Sequence, residues 1–317
     1  MKVLIWQTAF LGDVVLTTPL IKTLKKNFKD ISIGFVGRPF IRDLFKDFDI
    51  ELIPFSKGFI ESFKIREKIK NYDIVISPHR SARTALILFF SGIKERIGFD
   101  KSELPFLYTK TVKHRWGIHE VDRNLELLKP LGIREFVRET ELKISEKDYK
   151  ETLKKFNLEE KEYVVFSPFS NFRLKEWSIE NWAKLINKMS VPVVITGTRE
   201  DEQKSKFLES LVKKRFINLT GKTSLRELMA LLRGAKIVVA NDSSPVHIAN
   251  AFGVPAITIY TATSPVYGFY PLIGKYVKNP TPCSPCSPNP KRCKRGTEEC
   301  LNLPAPKIVL SSIEDFL

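Results

Sequence analysis

The sequence predicts an α/β protein of two doubly wound parallel-sheet domains facing a central cleft, and three observations carry that expectation. Short β-rich runs alternate with helical patterns along the chain, which places helices on both faces of a parallel sheet. The alternation restarts midway, after the strongly charged stretch Ser145-Glu146-Lys147-Asp148-Tyr149-Lys150. The 317 residues, 43% of them hydrophobic, suit two cores better than one, since single cores stop growing near roughly 250–300 residues. The predicted division is 1–150 and 151–317.

In the first half the expected strands are Lys2–Trp6, Ile31–Val36, Ile50–Pro54 and Ile74–Ser77. The first strand breaks into Gln7-Thr8-Ala9-Phe10-Leu11-Gly12-Asp13. Ligands of open α/β sheets bind beyond the carboxyl ends of the strands, so this loop is the default place for chemistry. It offers the carboxylate of Asp13 at a helix entrance. It lacks the G-x-G-x-x-G spacing of a dinucleotide cradle, which points to acid/base work. The helix after Asp13 has apolar Val14, Val15, Leu20, Ile21 and Leu24 on one face and a basic last turn that suits the helix dipole. A helical pattern over Lys57–Lys70, with Phe59, Ile60, Phe63 and Ile65 among lysines, is expected to pack on the core. Resting on an anionic membrane is its alternative.

The second half restarts at Tyr163–Phe166, followed by strands at Val191–Thr196, Phe216–Leu219, Ile237–Ala240 and Ala256–Tyr260. Three of its strand-end loops form a set. After the first comes Ser167 to Ser178, in which Lys175 offers a point charge to a phosphate and Ser178 caps the helix Ile179–Met189. After the second comes Gly197-Thr198-Arg199-Glu200-Asp201-Glu202, whose acids suit ribose hydroxyls or simply the helix dipole. After the strand Ile237–Ala240 comes Asn241-Asp242-Ser243-Ser244-Pro245-Val246-His247. Small hydroxyl residues at a helix start form an anion site, with Pro245 tolerated in the first turn, or serve only as a cap. Three such loops on one sheet edge favour a nucleotide or nucleotide-sugar site.

With 52 Lys+Arg against 36 Asp+Glu the formal net charge is +16, which favours a polyanionic partner: nucleic acid, an anionic membrane or an acidic substrate. No run approaches the ~20 apolar residues of a membrane span, and Met1-Lys2-Val3 leads directly into a strand, so a soluble cytoplasmic protein is expected. Cys283, Cys286, Cys293 and Cys300 lie together in a Pro-, Lys- and Ser-rich loop near 283–300. Their spacing suits a structural zinc, two disulfides or free thiols. The loop reads as a structural staple, because no nucleophile–base pair lies near it in sequence.

Thr8 to Pro19, Tyr72-Asp73 through Glu95-Arg96-Ile97-Gly98-Phe99, Lys175-Glu176-Trp177, and Asn241 to His247 together resemble the ADP-heptose:lipopolysaccharide heptosyltransferases, heptosyltransferase II-like members of glycosyltransferase family nine. The likeness spans most of the chain, and Ser244 stands where that family usually has glycine. The resemblance implies the GT-B fold of two Rossmann-like domains, with an acceptor-binding first domain, a nucleotide-sugar-binding second domain and a C-terminal helix over Ala305–Leu317 that returns to the first domain. It implies inverting transfer of heptose from ADP-heptose to the anionic inner core of lipopolysaccharide, at the cytoplasmic face of the inner membrane. Asp13 then matches the catalytic base, and Lys175, Ser170, Ser243 and Ser244 the groups on the donor diphosphate. Asp201 matches the ribose contact, and Asp242 and His247 the donor sugar contacts, although His247 also suits plain core packing. His79, Arg80, Arg83 and Arg123 are the candidate acceptor contacts. No metal is needed for this mechanism, and zinc enters only as a possible staple at the cysteines. Two rivals stand beside this reading: a GT-B enzyme using another nucleotide sugar, and a basic non-enzymatic module that binds nucleic acid. The second leaves Asp13, Lys175 and Asp242 unexplained and lacks the aromatic and glycine signatures of RNA-recognition sheets, so no nucleic acid is expected.

Overall fold

The computed structural model describes residues 1–317 and divides into two units, Met1–Lys143 and Ile144–Leu317. In the first, strands β1 (Lys2–Trp6), β2 (Ser32–Gly37), β3 (Glu51–Pro54), β4 (Ile74–Ser77), β5 (Glu95–Phe99) and β6 (Lys110–Val112) form one sheet in the order β3-β2-β1-β4-β5-β6. In the second, β7 (Val164–Ser167), β8 (Val193–Ile195), β9 (Ile217–Asn218), β10 (Val238–Asn241), β11 (Ala256–Tyr260) and β12 (Gly274–Lys278) run β12-β11-β10-β7-β8-β9. Every pairing is parallel. Counted from its own first strand, each sheet has the doubly wound order 3-2-1-4-5-6. The two halves therefore reverse strand order between β1 and β4 and between β7 and β10, and the loops leaving those strands are the ones the sequence singles out.

The first unit carries helices α1 (Leu11–Val15), α2 (Thr18–Asn27), α3 (Ile41–Leu44), α4 (Phe59–Ile69), α5 (Ala82–Phe90) and α6 (Glu120–Glu126). The second carries α7 (Glu146–Lys155), α8 (Ile179–Ile186), α9 (Glu202–Leu211), α10 (Leu225–Gly234), α11 (Ser244–Ala251) and α12 (Pro306–Glu314). Each unit closes its own core. Leu4, Trp6, Val36 and Val75 of the first sheet pack with Ile65, Ile69, Ala85 and Leu88 of α4 and α5. Val164, Phe166, Val239 and Ile257 of the second pack with Trp182 and Ile186 of α8 and with Val309 and Ile313 of α12. Strands buried on both faces read as continuous Val/Ile runs, which is why the central ones stand out in the sequence.

Several expectations are corrected. The charged stretch from Ser145 is no linker. Ser145 Oγ accepts from the Asp148 N–H and starts α7, whose Tyr149 and Leu153 are buried in the second unit, so the division falls at 143/144 rather than 150/151. The C-terminal helix α12 packs on α8, β11 and β12 of the second unit. The single helix expected after Asp13 is two, because the chain turns at Leu16-Thr17 and Pro19 lies in the first turn of α2. Ser178 precedes α8, but its hydroxyl makes no capping bond. The helix over Lys57–Lys70 buries only Ile65 and Ile69 and leaves Phe59, Ile60 and Phe63 exposed. Strands β5, β6 and β12 had no place in the expected list.

Gly98 of β5 is glycine for space. A Cβ there would lie 2.5 Å from Tyr108 Cε1, and the Tyr108 ring is buried. Gly98→Ala is therefore expected to lower stability by about 1–3 kcal/mol through overpacking, read as a lower urea midpoint. Adding Tyr108→Leu to that variant should recover part of the loss, because the second change removes the clashing ring.

Candidate functional site

The second unit gathers its candidate residues at the carboxyl ends of β7 and β10. The loop after β7 runs from Pro168 through the turn Arg173–Lys175 to Ser178, and it is pinned from both sides. On one side, the buried carboxamide of Asn241, last residue of β10, donates from Nδ2 to the Pro168 carbonyl at 2.7 Å and accepts from the Trp177 N–H at 3.0 Å. On the other, the Leu174 carbonyl accepts from Thr261 Oγ1 at 2.7 Å and from the Ala262 N–H at 3.2 Å. The indole Nε1 of Trp177 donates to the Pro304 carbonyl at 2.9 Å. Fixed in this way, Lys175 points its ammonium at Asp242, with Nζ 2.9 Å from Oδ2 and the side chains only 12% and 11% exposed. Phe172 covers the ammonium at 5.4 Å from its ring centre.

Asp242 and Ser243 lead directly into α11, with Ser244 as its first residue and Pro245 as its second. The first N–H groups of a helix have no partner inside it and carry the positive end of its dipole. Together with Lys175 they make a place for an anion. Ser243 Oγ donates to the Asn241 carbonyl at 3.1 Å and does not cap the helix. His247 is buried one turn further along, 6.4 Å between ring centres from Phe269.

Ser170 and Asp201 are tied into the same scaffold. The Ser170 N–H donates to Glu176 Oε1 at 2.9 Å, and Lys204 Nζ reaches that oxygen at 2.6 Å. Lys204 also lies 3.7 Å from Asp201 Oδ1. It thus bridges the loops after β7 and β8. Asp201 Oδ2 accepts from the N–H and hydroxyl of Thr198 at 2.9 and 2.8 Å, which is the helix-start role set beside ribose binding as its alternative.

The four cysteines are free thiols. No group of three or more His, Cys, Asp or Glu side chains is arranged to hold a metal ion. Cys300, Cys286 and Cys293 instead pack against Leu174 and Ala262, directly behind the Lys175 turn. Burial, followed by the neighbouring cysteines, pushes the Cys300 thiol up to about 11. The segment holds the loop through Cys286 N–H to the Ala262 carbonyl at 2.9 Å, Ser178 N–H to the Leu301 carbonyl at 2.8 Å, and a two-pronged Arg173–Glu298 ion pair. The segment braces the Lys175 turn by packing and hydrogen bonding.

The first unit has its own cluster after β1 and β4. Asp13, in α1, accepts from the Phe10 N–H at 3.1 Å. Glu120, the buried first residue of α6, is close enough to Asp13 for the two carboxylates to repel. Burial raises Glu120 to about 7, opposed by Arg123 and reinforced by Asp13. Arg123 is buried and committed: it pairs with Glu120 and donates to the Arg115 carbonyl at 2.8 Å. It stands beside Asp13 through Glu120 and shares the Trp116 ring with Arg80, the two guanidiniums lying 4.9 and 5.9 Å from the ring centre.

Past β4, His79 Nδ1 lies 2.9 Å from Thr84 Oγ1. Burial first, then Lys57, Arg38 and Arg80, lower it to about 4, so it is a neutral hydrogen-bonding group at neutral pH. Arg80 lies 5.9 Å from the Trp116 ring centre, and Arg83 donates to the Lys57 carbonyl at 2.7 Å. Arg38, Lys57 and Arg80 thus surround His79 with positive charge, and Arg83 is tied to Lys57. Sequence reasoning missed Asn241, Glu176, Lys204 and Glu120. Their side chains act on partners that only the fold brings near, although the position of Asn241 at a strand end was a usable signal.

The arrangement supplies a carboxylate beside a cationic cluster in one unit and an anion-binding helix start with a lysine in the other. A profile of glycosyltransferase family 9 (heptosyltransferase) matches residues 62–297. The chain is 29% identical over 279 residues to lipopolysaccharide heptosyltransferase 3 of Escherichia coli, covering 81% of each. It is 26% identical over 294 residues to lipopolysaccharide heptosyltransferase 2 of the same organism, covering 84% of each. Among solved structures, E. coli ADP-heptose LPS heptosyltransferase II superposes with a TM-score of 0.81 at 22% identity, over 100% of this chain and 98% of that one. The fold is accordingly GT-B, and the protein belongs to glycosyltransferase family 9, the heptosyltransferases.

Proposed function

We propose that this glycosyltransferase moves a heptose from ADP-heptose to the inner core of lipopolysaccharide in a single displacement with inversion. The observation that carries the reading is the Lys175–Asp242 pair at the start of α11, in a chain of this family. The donor diphosphate takes Lys175, Ser170, Ser243 and Ser244, with Asp201 on the ribose and Asp242 and His247 on the heptose. The acceptor hydroxyl oxygen attacks the anomeric carbon and gives its proton to Asp13. The bond from that carbon to the diphosphate oxygen breaks, and ADP leaves with its new negative charge on the β-phosphate. Lys175 and the helix start meet that charge with donors already in place, where one such donor is worth about 10²–10³ in rate. These groups supply the charge stabilisation without calling on a metal.

An inner-core acceptor rich in carboxylates and phosphates suits the cations around His79, and Arg80 and Arg83 are its contacts in this reading. Arg123 acts through Glu120. The acceptor is anchored in a lipid, so the enzyme works as a peripheral protein at the cytoplasmic face of the inner membrane. No helix is long and apolar enough to cross it.

Calorimetric titration with ADP and ADP-heptose, beside GDP and UDP, tests the donor assignment. Selective ADP binding that Lys175→Ala weakens by about tenfold or more is expected, since a hydrogen bond to a charged group contributes roughly 1.5–3 kcal/mol. Absence of nucleotide binding overturns the reading, and a preference for GDP or UDP replaces the donor. Asp13→Asn should leave ADP binding intact and lower kcat by about 10²–10⁴, measured with saturating donor.

Glu120 predicts a pH effect. Its raised proton affinity means that it is neutral below about 7 and ionised above. The second negative charge then favours proton uptake by Asp13, so kcat/KM should rise with pH through about 7. Glu120→Gln should remove that limb from the kcat/KM profile. An unchanged limb assigns it to another group.

A further inference from the structure

Helices α4 and α5 and the turn Pro105–Leu107 lie on the same face of the first sheet, α5 touching both of the others. Their inner sides fill the core, and their outer sides are apolar as well. On α4, Phe59 and Ile60 are 80% and 67% exposed, and Phe63 stacks edge-on against Phe59 with ring centres 5.1 Å apart. On α5 the exposed residues fall at helical spacing: Leu86, then Phe89 and Phe90. Phe106 in the adjoining turn is 78% exposed. Scattered exposed apolar residues need no explanation, but three neighbouring elements that each present aromatic rings mark an interaction surface.

The charges on this face identify its partner. Arg66 lies over the Phe63 ring at 5.0 Å and Arg96 over the Phe89 ring at 5.5 Å. Lys64 and Lys68 are exposed on α4 beside them. The acids of α4 are engaged locally, Glu67 with Lys70 at 2.7 Å and Glu61 with the Ser56 N–H at 2.8 Å. Aromatic rings with long cationic side chains among them match the boundary of an anionic bilayer, where rings enter the acyl edge and Lys and Arg reach the headgroups. A second copy of a chain with net charge +16 fits such a face poorly. The face is also continuous with the acceptor cluster, since Arg83 at the start of α5 binds the Lys57 carbonyl just before α4.

We infer that the outer faces of α4, α5 and the Pro105–Leu107 turn form the membrane-docking surface of this enzyme, specific for anionic lipid. The proposed lipid-linked acceptor explains why docking matters, and only that explanation rests on the proposed function.

The test is co-sedimentation of the full chain with vesicles of phosphatidylcholine, alone and mixed with phosphatidylglycerol, at low and physiological salt. The wild type should bind the mixed vesicles, more tightly at low salt. Phe59→Ser with Phe63→Ser and Phe90→Ser should weaken binding at least about tenfold, given the apolar area lost. Lys64→Glu with Lys68→Glu should weaken it mainly at low salt. Turnover of a soluble acceptor fragment should stay at the wild-type level in both variants. Failure of the wild type to bind mixed vesicles overturns the inference, as does equal binding by the serine variant. So does concentration-dependent dimerisation, seen by light scattering, that the serine variant abolishes. The vesicle assay contains no substrate, so an error in the proposed reaction leaves its result unchanged.

Discussion

The geometry of the candidate site in the second unit hangs on the carboxamide of Asn241. Its two hydrogen bonds, to the Pro168 carbonyl and from the Trp177 N–H, tie the end of β10 to both ends of the loop that follows β7. The group is fully buried, so losing either bond leaves a polar atom without solvent as a substitute, at a cost of about 1–3 kcal/mol. The Lys175–Asp242 pair follows from it, because the two residues lie on the two segments that Asn241 joins. Parallel strand order makes the arrangement available, and one amide fixes it to hydrogen-bond precision.

The two units solve different electrostatic problems. In the second unit, one ammonium is balanced by one carboxylate and set before a helix start. Beside Asp13, burial rather than pairing governs the protonation of Glu120. Glu120 touches a guanidinium, yet burial outweighs the ion pair. Removing one partner of such a buried pair is costly, whereas the pair itself contributes little net stability. Its presence beside Asp13 therefore speaks for function more than for folding.

Much of the fold was legible in the sequence, for a physical reason. Central parallel strands such as β1 and β11 are buried on both faces and have little choice but to be apolar and β-branched. Edge strands carry no such constraint: β6 reads Lys-Thr-Val and β12 reads Gly-Lys-Tyr-Val-Lys, so neither announces itself. Asp13, Lys175 and Asp242 were legible because strand-end loops are where such folds place chemistry. The position of Arg123 and the role of Glu120 were not, because both depend on which neighbours α6 meets. The outer face of α4 stayed open between core packing and an anionic membrane for a related reason. Phe59 and Phe63 look like core residues in a sequence, and only their surroundings show otherwise.

The cysteine segment has a consequence for chemical labelling. Backbone N–H groups of residues 295–298 stabilise the thiolate of Cys293, with the Glu298 N–H contributing most, whereas burial raises Cys286 and Cys300. The thiolate is the reactive form, so a mild electrophile at neutral pH meets Cys293 before Cys286 or Cys300. That sulfur belongs to the cluster packed behind Leu174, and Arg173 on the Lys175 turn is bound to Glu298. The molecule thus carries a native attachment point for a fluorophore beside its Lys175 turn, without an engineered cysteine.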